Sequence, residues 1–233
     1  MGDVQYDRKD DGKDLSADKP PLWKVLVLCI AASIANNLAC TFIMEVARLP
    51  LYLDTVFTAA VCFSLGVWPG ILTGVILGFA NAFVRHMMIL GESFQSFLAG
   101  RIFLLCTLFE VLVVCFFYKK WIKRRENTFL LEPSLQSFIG MAPLLLTLAA
   151  LACIVVSLSG GIIGFIVSQL AMPRPEWPED TFMLGLLRNN IPVLASAILS
   201  RIPINIVDRF FVIFGGYGIS LLFRKWIKST TSP

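Results

Sequence analysis

Polar side chains that could bind a ligand recur inside the apolar runs of this sequence. Arg101 lies about one helical turn inside one run, Glu110 lies near the middle of the same run, and Asp208 and Arg209 lie near the start of another. A charge at such a depth in a membrane is costly, so it faces a partner or a water-filled cavity. Extension of the side chain to the membrane surface is an equal alternative for Arg101. These residues suggest either a polar pocket or ordinary interfacial residues and salt bridges.

No motif of a catalytic centre accompanies these residues. The sequence lacks the phosphate-binding loop GxxxxGK[ST], the zinc motif HExxH and the serine-nucleophile motif GxSxG. Its six cysteines all lie in apolar runs and form no CxxC pair. Such cysteines are typical of small buried side chains and not of disulfides or metal ligands. We therefore expect a protein that is not an enzyme and holds no cofactor or metal.

The apolar runs predict the class of protein. Hydrophobic residues make up 57% of the chain and charged residues only 15%, whereas soluble domains carry about 25% charged residues. The runs are long enough to span a bilayer, which takes about 20 residues. We therefore expect an all-α integral membrane protein that crosses the cell membrane several times.

The basic residues predict which side each end of the chain occupies. They cluster in Lys119–Glu126 and in Arg224–Lys228, and such clusters are typical of cytoplasmic segments. A patch for anionic lipid or nucleic acid is the less common meaning of the first cluster. We predict about six transmembrane helices in one bundle over residues 23–228, with the N and C termini cytoplasmic. Residues 1–22 are expected to be a disordered cytoplasmic tail, and residues 229–233 a short C-terminal tail.

Two regions leave the number of spans open. Residues 138–171 form a run longer than one span needs, which predicts a kinked helix or a helix with a re-entrant piece, divided at Ser159-Gly160-Gly161. Residues 184–199 predict an outer-side or partly inserted helix before a last span that begins near Ile204. A seventh span would place the second basic cluster outside, against the charge rule.

The stretch Leu49–Phe83 predicts an antiparallel helical hairpin with a polar start. Its two apolar runs are separated by the tight break Trp68-Pro69-Gly70. Glycines at Gly70, Gly74 and Gly78 repeat every four residues, which places them on one face where another helix can approach closely. We expect this face to be a packing seam of the bundle.

A second stripe of small residues lies in the first span. Ala31, Ala35 and Ala39 repeat every four residues beside the amides of Asn36 and Asn37. Amides in the middle of a membrane must find partners, so they face protein or a cavity. The stripe is either a packing seam within this protein or a docking face for another subunit, and the residues alone do not favour one over the other.

The unusual polar residues converge on the outer side of the predicted topology. Five arginines are expected there, although positive charge is normally depleted on that side; they are Arg85, Arg101, Arg188, Arg201 and Arg209. Guanidinium groups pair with carboxylates and phosphates, so this excess favours an anionic ligand.

The chain resembles the substrate-binding S components of energy-coupling factor (ECF) transporters, which take up vitamins and other micronutrients. The resemblance covers residues 25–120 and consists of the alanine stripe of the first span, the segment SLGVWPGILTG (residues 64–74) and the segment GESFQSFLAG (residues 91–100). Family members often place the proline before the tryptophan, whereas here Pro69 follows Trp68. The C-terminal part is also longer than in a typical member, near residues 184–199.

The resemblance implies the partners and the site. The chain would bind a small organic micronutrient from outside and dock through the alanine stripe on a T component that carries two ATPase subunits. Matching ligand positions are Tyr52, Asp54, Arg101, Asn205 and Asp208. Arg85, His86 and Asn189 join them only because they converge on the outer side, and an ordinary interfacial role is the commoner meaning of the single histidine.

Two other functions fit the same residues. One is a membrane sensor that binds the same kind of ligand without transporting it. The other is an autonomous secondary transporter, for which Glu110 and Asp208 would be the ion-coupling candidates. No clear inverted repeat supports the second.

Overall fold

The computed structural model describes residues 22–47, 51–85, 101–129, 135–170 and 178–231. Every regular element within these ranges is helical. The helices are α1 (Leu22–Ala47), α2 (Val56–Leu65), α3 (Val67–Arg85), α4 (Leu104–Phe117), α5 (Lys123–Phe129), α6 (Leu135–Leu170), α7 (Pro178–Arg188), α8 (Val193–Leu199) and α9 (Ile202–Thr231). A π-helical turn, Tyr118–Ile122, joins α4 to α5. The all-α prediction is confirmed for this part of the chain.

Three stretches of the described chain are long and apolar enough to cross a membrane. They are Trp23–Met44 in α1, Ile139–Val167 in α6, and Val193–Ser229, which runs through α8 and α9. This is what an integral membrane protein requires. The count of six spans and the sides of the two termini stay predictions.

The helical hairpin is present, but its turn is not where the sequence pattern placed it. Helix α2 ends at Leu65 and α3 begins at Val67, so Gly66 alone makes the turn, with φ +95°. Only glycine adopts that conformation without strain. Pro69 and Gly70 lie inside the first turn of α3. The missing backbone N–H of Pro69 costs nothing there, because N–H groups in the first turn have no carbonyl partner within the helix.

The glycine stripe of α3 is a packing seam, as predicted. Gly70 lies against Cys62 and Gly74 near Thr58, and these pairings show that α2 and α3 run antiparallel. Gly78 faces α4, where a Cβ atom added to it would lie 2.7 Å from the Leu104 side chain. The missing side chains let α3 approach both neighbours closely.

Helix α2 is too short to span a bilayer by itself. Its ten residues cover about 15 Å, against about 30 Å for the apolar core of a bilayer. Its start is fixed beside the middle of α1, because the Asn37 side chain donates to Thr58 Oγ1 (3.1 Å) and accepts from the Phe57 N–H (3.1 Å). The preceding residues 51–55, called the connector below, are partly buried and lead into the bundle, where Thr55 is buried.

Helix α6 continues through the expected break at Ser159-Gly160-Gly161. The re-entrant alternative is therefore wrong. The glycines serve close contact instead: Gly161 lies against the backbone of Ile198, and Gly160 and Gly164 lie against the Arg201 side chain. A run of small residues can thus be helical when a neighbouring helix covers it.

The predicted helix over residues 184–199 is two helices. Helix α7 ends at Arg188 and α8 begins at Val193. Asn190 between them has φ +60°, a conformation that asparagine tolerates better than most residues, and Pro192 immediately precedes α8. These two residues separate the helices.

The hydrophobic core lies where α2, α4, α6 and α9 meet. Phe63 of α2 is buried there with Val111, Leu145 and Ile213. The rings of Phe63 and Tyr217 form a T-shaped pair with a centroid distance of 5.7 Å. This packing fixes the helices that carry the polar residues described next.

Candidate functional site

The connector is held in place by Asp208 of α9. One carboxylate oxygen of Asp208 accepts the backbone N–H groups of Tyr52 (3.0 Å) and Leu53 (2.8 Å). Leu53 has φ +42°, a left-handed conformation that is costly for a leucine. The two hydrogen bonds compensate for that cost and satisfy backbone groups that are held inside the bundle.

Arg209 lies at the centre of a buried ionic cluster. Its guanidinium donates to Glu110 of α4, to the second oxygen of Asp208 (2.5 Å) and to Thr55 Oγ1 (2.9 Å). Arg209 and Glu110 are each 4% exposed, and Asp208 is fully buried. These four residues, called the Arg209 cluster below, join the connector, α4 and α9. Breaking such a buried pair is costly because the remaining charge has no partner.

Asp54 adds a further carboxyl group beside the Arg209 cluster. Burial, helped by the nearby carboxylates of Asp208 and Glu110, raises the pKa of Asp54 to about 6 against the opposing charge of Arg209. Three carboxyl groups thus surround one guanidinium. Asp54 therefore holds a proton to a higher pH than a solvent-exposed aspartate does.

Helix α7 lies over the connector through Tyr52. The Tyr52 hydroxyl donates to a carboxylate oxygen of Glu179, in the first turn of α7. Burial and the nearby charge of Glu179 raise the pKa of Tyr52, so its hydroxyl stays protonated and acts as the donor. Glu179 is 8% exposed, and its second oxygen has no hydrogen-bond partner among the described residues. This hydrogen bond joins α7 to the connector.

The structure brings together only some of the predicted site residues. Tyr52, Asp54 and Asp208 are neighbours in the connector and the Arg209 cluster. Asn205 lies one turn from Asp208 on α9, but its amide donates to Ser157 Oγ of α6 (2.9 Å). That bond ties two helices together.

The other predicted residues lie elsewhere. Arg101 donates to the carbonyl oxygen of Gly78 (2.5 Å) and so connects the start of α4 to α3. Asn189 is exposed and donates to the Gly185 carbonyl of its own helix (2.9 Å). The Arg85 side chain and His86 lie outside the described residues.

Glu179 is the site residue that the sequence pattern did not single out. The available signal was a proline followed by two acids, Pro178-Glu179-Asp180, which is typical of a helix start. That signal predicts α7, but it does not predict that Glu179 meets a residue 127 positions away. The sequence also does not predict the partner of Arg201, one of the five arginines expected on the outer side: its guanidinium lies 5.2 Å from the centre of the Phe103 ring.

A small cavity lies next to the Arg209 cluster. It has a volume of about 10 Å³ and is lined by residues of α2 and α4, among them Thr58, Cys62 and Glu110. This is the space of about one water molecule. A solute larger than a water molecule therefore does not fit in this cavity.

The charges of the described site do not strengthen the expectation of an anionic ligand. The site holds Asp54, Glu110 and Asp208 around Arg209, whose charge is already balanced by two of them. The preference for an anion stays a prediction. Within the described ranges, no group of three His, Cys, Asp or Glu residues is arranged to hold a metal ion.

The alanine stripe of α1 lies on the outer face of the described fold. Ala31, Ala35 and Ala39 are all exposed, whereas a second series with the same spacing is buried on the opposite face of the helix. That buried series is Val25, Cys29, Ser33 and Asn37. The seam between α1 and the rest of the described chain is therefore formed by the second series, and the described helices leave the alanines uncovered.

Family models, curated proteins and solved structures were each compared with the chain, and none of them matches it.

Proposed function

We propose that this protein is the substrate-binding S component of an ECF-type importer in the cell membrane. It binds a small organic micronutrient from outside and docks on a T component that carries two ATPase subunits. The observation that carries the proposal is the uncovered alanine stripe. Ala31, Ala35 and Ala39 form a smooth strip in the middle of the exposed face of α1, and a partner helix can approach such a strip closely.

The polar interior supports the binding half of the proposal. The connector brings Tyr52 and Asp54 into the bundle beside the Arg209 cluster. Ionisable residues inside a membrane protein line substrate or ion paths more often than they serve packing. Tyr52 also contacts Glu179 of α7, so a solute that reached this place would meet groups from the connector, α7 and α9 at once.

The proposal of an autonomous secondary transporter is weaker. Its ion-coupling candidates, Glu110 and Asp208, are both paired with Arg209. A carboxylate that is neutralised by a fixed guanidinium gains little from binding a cation, because the guanidinium already supplies the compensating charge. Uptake into proteoliposomes without ATPase subunits would nevertheless favour it, and its absence would favour the ECF proposal.

The docking claim is tested by replacing one alanine of the stripe. We expect Ala35→Leu to abolish co-purification of the chain with a co-expressed T component and its ATPases, because a leucine keeps the facing helix away. Ala150→Leu, which makes the same change on the exposed face of α6, is the matched control and should assemble normally. Both variants should melt like the unchanged protein, since both positions are exposed. Full assembly of Ala35→Leu would refute docking through this face.

The ligand claim has its own test. Native mass spectrometry of the purified chain should detect a bound small organic molecule, and Asp54→Asn or Tyr52→Phe should reduce its occupancy. Unchanged occupancy in both variants would exclude this part of the bundle as the ligand site. A neutral or cationic molecule would contradict the prediction of an anionic ligand.

A further inference from the structure

A basic surface surrounds the junction of α4 and α5. Its residues are Lys119, Lys120, Lys123, Arg124 and Arg125, and all five are exposed. We call this surface the basic collar. Lys225 and Lys228, both exposed on the last turns of α9, extend the same charge. Charges of one sign this close together repel one another, so a surface of this kind is stabilised by an anionic partner.

The collar is fixed to the bundle by Glu126. Glu126 is the only acidic residue between Lys119 and Phe129, and it is 2% exposed. Its carboxylate accepts hydrogen bonds from Tyr118 (2.6 Å), Tyr217 (3.0 Å) and Arg224 (2.5 Å). The one negative charge of the segment is thus turned inward and neutralised, and α5 is held so that its basic residues face outward.

The collar lies at the edge of the membrane-facing apolar surface. Phe116 at the end of α4 is 63% exposed, and its ring meets that of Trp121 at a centroid distance of 5.9 Å. The Lys120 ammonium lies over both rings, 5.6 Å from the centre of Phe116 and 4.6 Å from that of Trp121. Tryptophan is enriched where lipid headgroups meet the apolar core. Lys120 therefore lies at headgroup level, with the rest of the collar beside it.

We propose that the basic collar is a binding site for the headgroups of anionic phospholipids. The phosphate would meet Lys120 and the neighbouring basic side chains, while the acyl chains lie against the exposed apolar face of α4. A segment that only sets the topology needs only positive charge. This surface also has the aromatic rings of Phe116 and Trp121 at its edge, and the buried Glu126 holds it in place. The proposal does not depend on the ECF assignment, because it concerns residues outside the connector, the Arg209 cluster and the alanine stripe.

The test compares two lipids that differ only in their headgroup. Native mass spectrometry of the full chain is carried out with dioleoyl-phosphatidylglycerol and with dioleoyl-phosphatidylcholine. We expect the anionic lipid to bind at least about tenfold tighter, because several basic residues near an anionic headgroup each add to its attraction. This preference should weaken as the salt concentration rises.

Two matched variants assign the preference to the collar. The collar variant carries Lys120→Gln, Lys123→Gln, Arg124→Gln and Arg125→Gln, and it should lose most of the preference. The control variant carries Arg8→Gln, Lys9→Gln, Lys13→Gln and Lys19→Gln, which removes the same charge from the N-terminal residues, and it should keep the preference. The two variants should have equal melting temperatures in phosphatidylcholine alone.

Two results would overturn the proposal. The first is equal binding of the two lipids by the unchanged chain. If the collar variant then also loses a co-purifying acidic protein, the surface belongs to a protein partner instead. The second is a collar variant that keeps the preference.

Discussion

The Arg209 cluster makes the sharpest prediction about stability. Arg209→Met removes the guanidinium from a site where Glu110 and Asp208 are almost completely buried. Breaking a buried ion pair by removing one partner costs about 3–5 kcal/mol. For a chain of this length, and with the scaling known for soluble proteins, this corresponds to a fall in melting temperature on the order of 10 °C. Arg188→Met, at an exposed position of α7, is the control and should change the melting temperature little.

The physical cause can be separated from lost packing. If the loss comes from unpaired carboxylates, then neutralising them should recover most of it. The triple variant Arg209→Met, Glu110→Gln and Asp208→Asn should therefore melt well above the single variant. The Asp208→Asn change keeps a side-chain oxygen that can accept the two N–H groups of the connector, so the fold of that segment is preserved.

The assay is thermal unfolding of the purified chain in detergent, with the midpoint in increasing SDS as a second measurement. The reasoning would be refuted by a triple variant that is no more stable than Arg209→Met, because the loss would then come from the shape of the side chain and not from its charge. A single variant that melts within about 2 °C of the unchanged protein would contradict the predicted magnitude.

Two further predictions concern the backbone conformation at Gly66 and the pH dependence of stability through Asp54. Gly66→Ala should destabilise the protein by about 1–2 kcal/mol, because φ is +95° at this position even though no atom crowds it. Gly218→Ala is the control: the site is equally uncrowded but lies inside α9, so the change should be neutral or slightly stabilising. Equal melting temperatures for the two variants would contradict this prediction. Burial raises the pKa of Asp54 to about 6 in the folded chain, so folding favours its protonated form and this contribution to stability is lost as pH rises from about 4 to 6. Asp54→Asn should remove this part of the pH dependence, so its melting temperature should rise relative to that of the unchanged protein as pH increases. A constant difference between the two melting temperatures across this pH range would exclude the effect.

The helical class and the glycine seam could be predicted from local patterns. Apolar runs of sufficient length and glycines spaced by four specify helices and a smooth face wherever they occur. The hairpin was also predicted, but its turn was assigned to Trp68-Pro69-Gly70 because proline and glycine are strong turn signals. The structure uses Gly66 instead, since a proline in the first turn of a helix breaks nothing.

The site could be predicted only in outline. Tyr52, Asp54 and Asp208, which the resemblance assigns to a ligand site, are neighbours in the structure, and their binding of a ligand stays a prediction. The pairings of Arg209 with Glu110 and of Tyr52 with Glu179 join residues 99 and 127 positions apart, and no local spacing encodes a contact of that range. The sequence also does not determine whether the alanine stripe faces the bundle or points away from it, because α1 carries small or polar residues every four positions on two opposite faces. Only packing decides which face is buried.

The length of α6 has a mechanical consequence. Its 36 continuous residues form a rod of about 54 Å, which is nearly twice the apolar thickness of a bilayer. The rod is joined to α9 at Asn205 through Ser157 and to Arg201 at Gly160, both in its C-terminal half. A change of about 20° in the inclination of this rod, within the range found among membrane helices, would displace one end relative to the other by roughly 18 Å. The N-terminal half of the rod is packed in the hydrophobic core through Met141, Leu145 and Leu148, so a change in its inclination would have to carry the helices of that core with it.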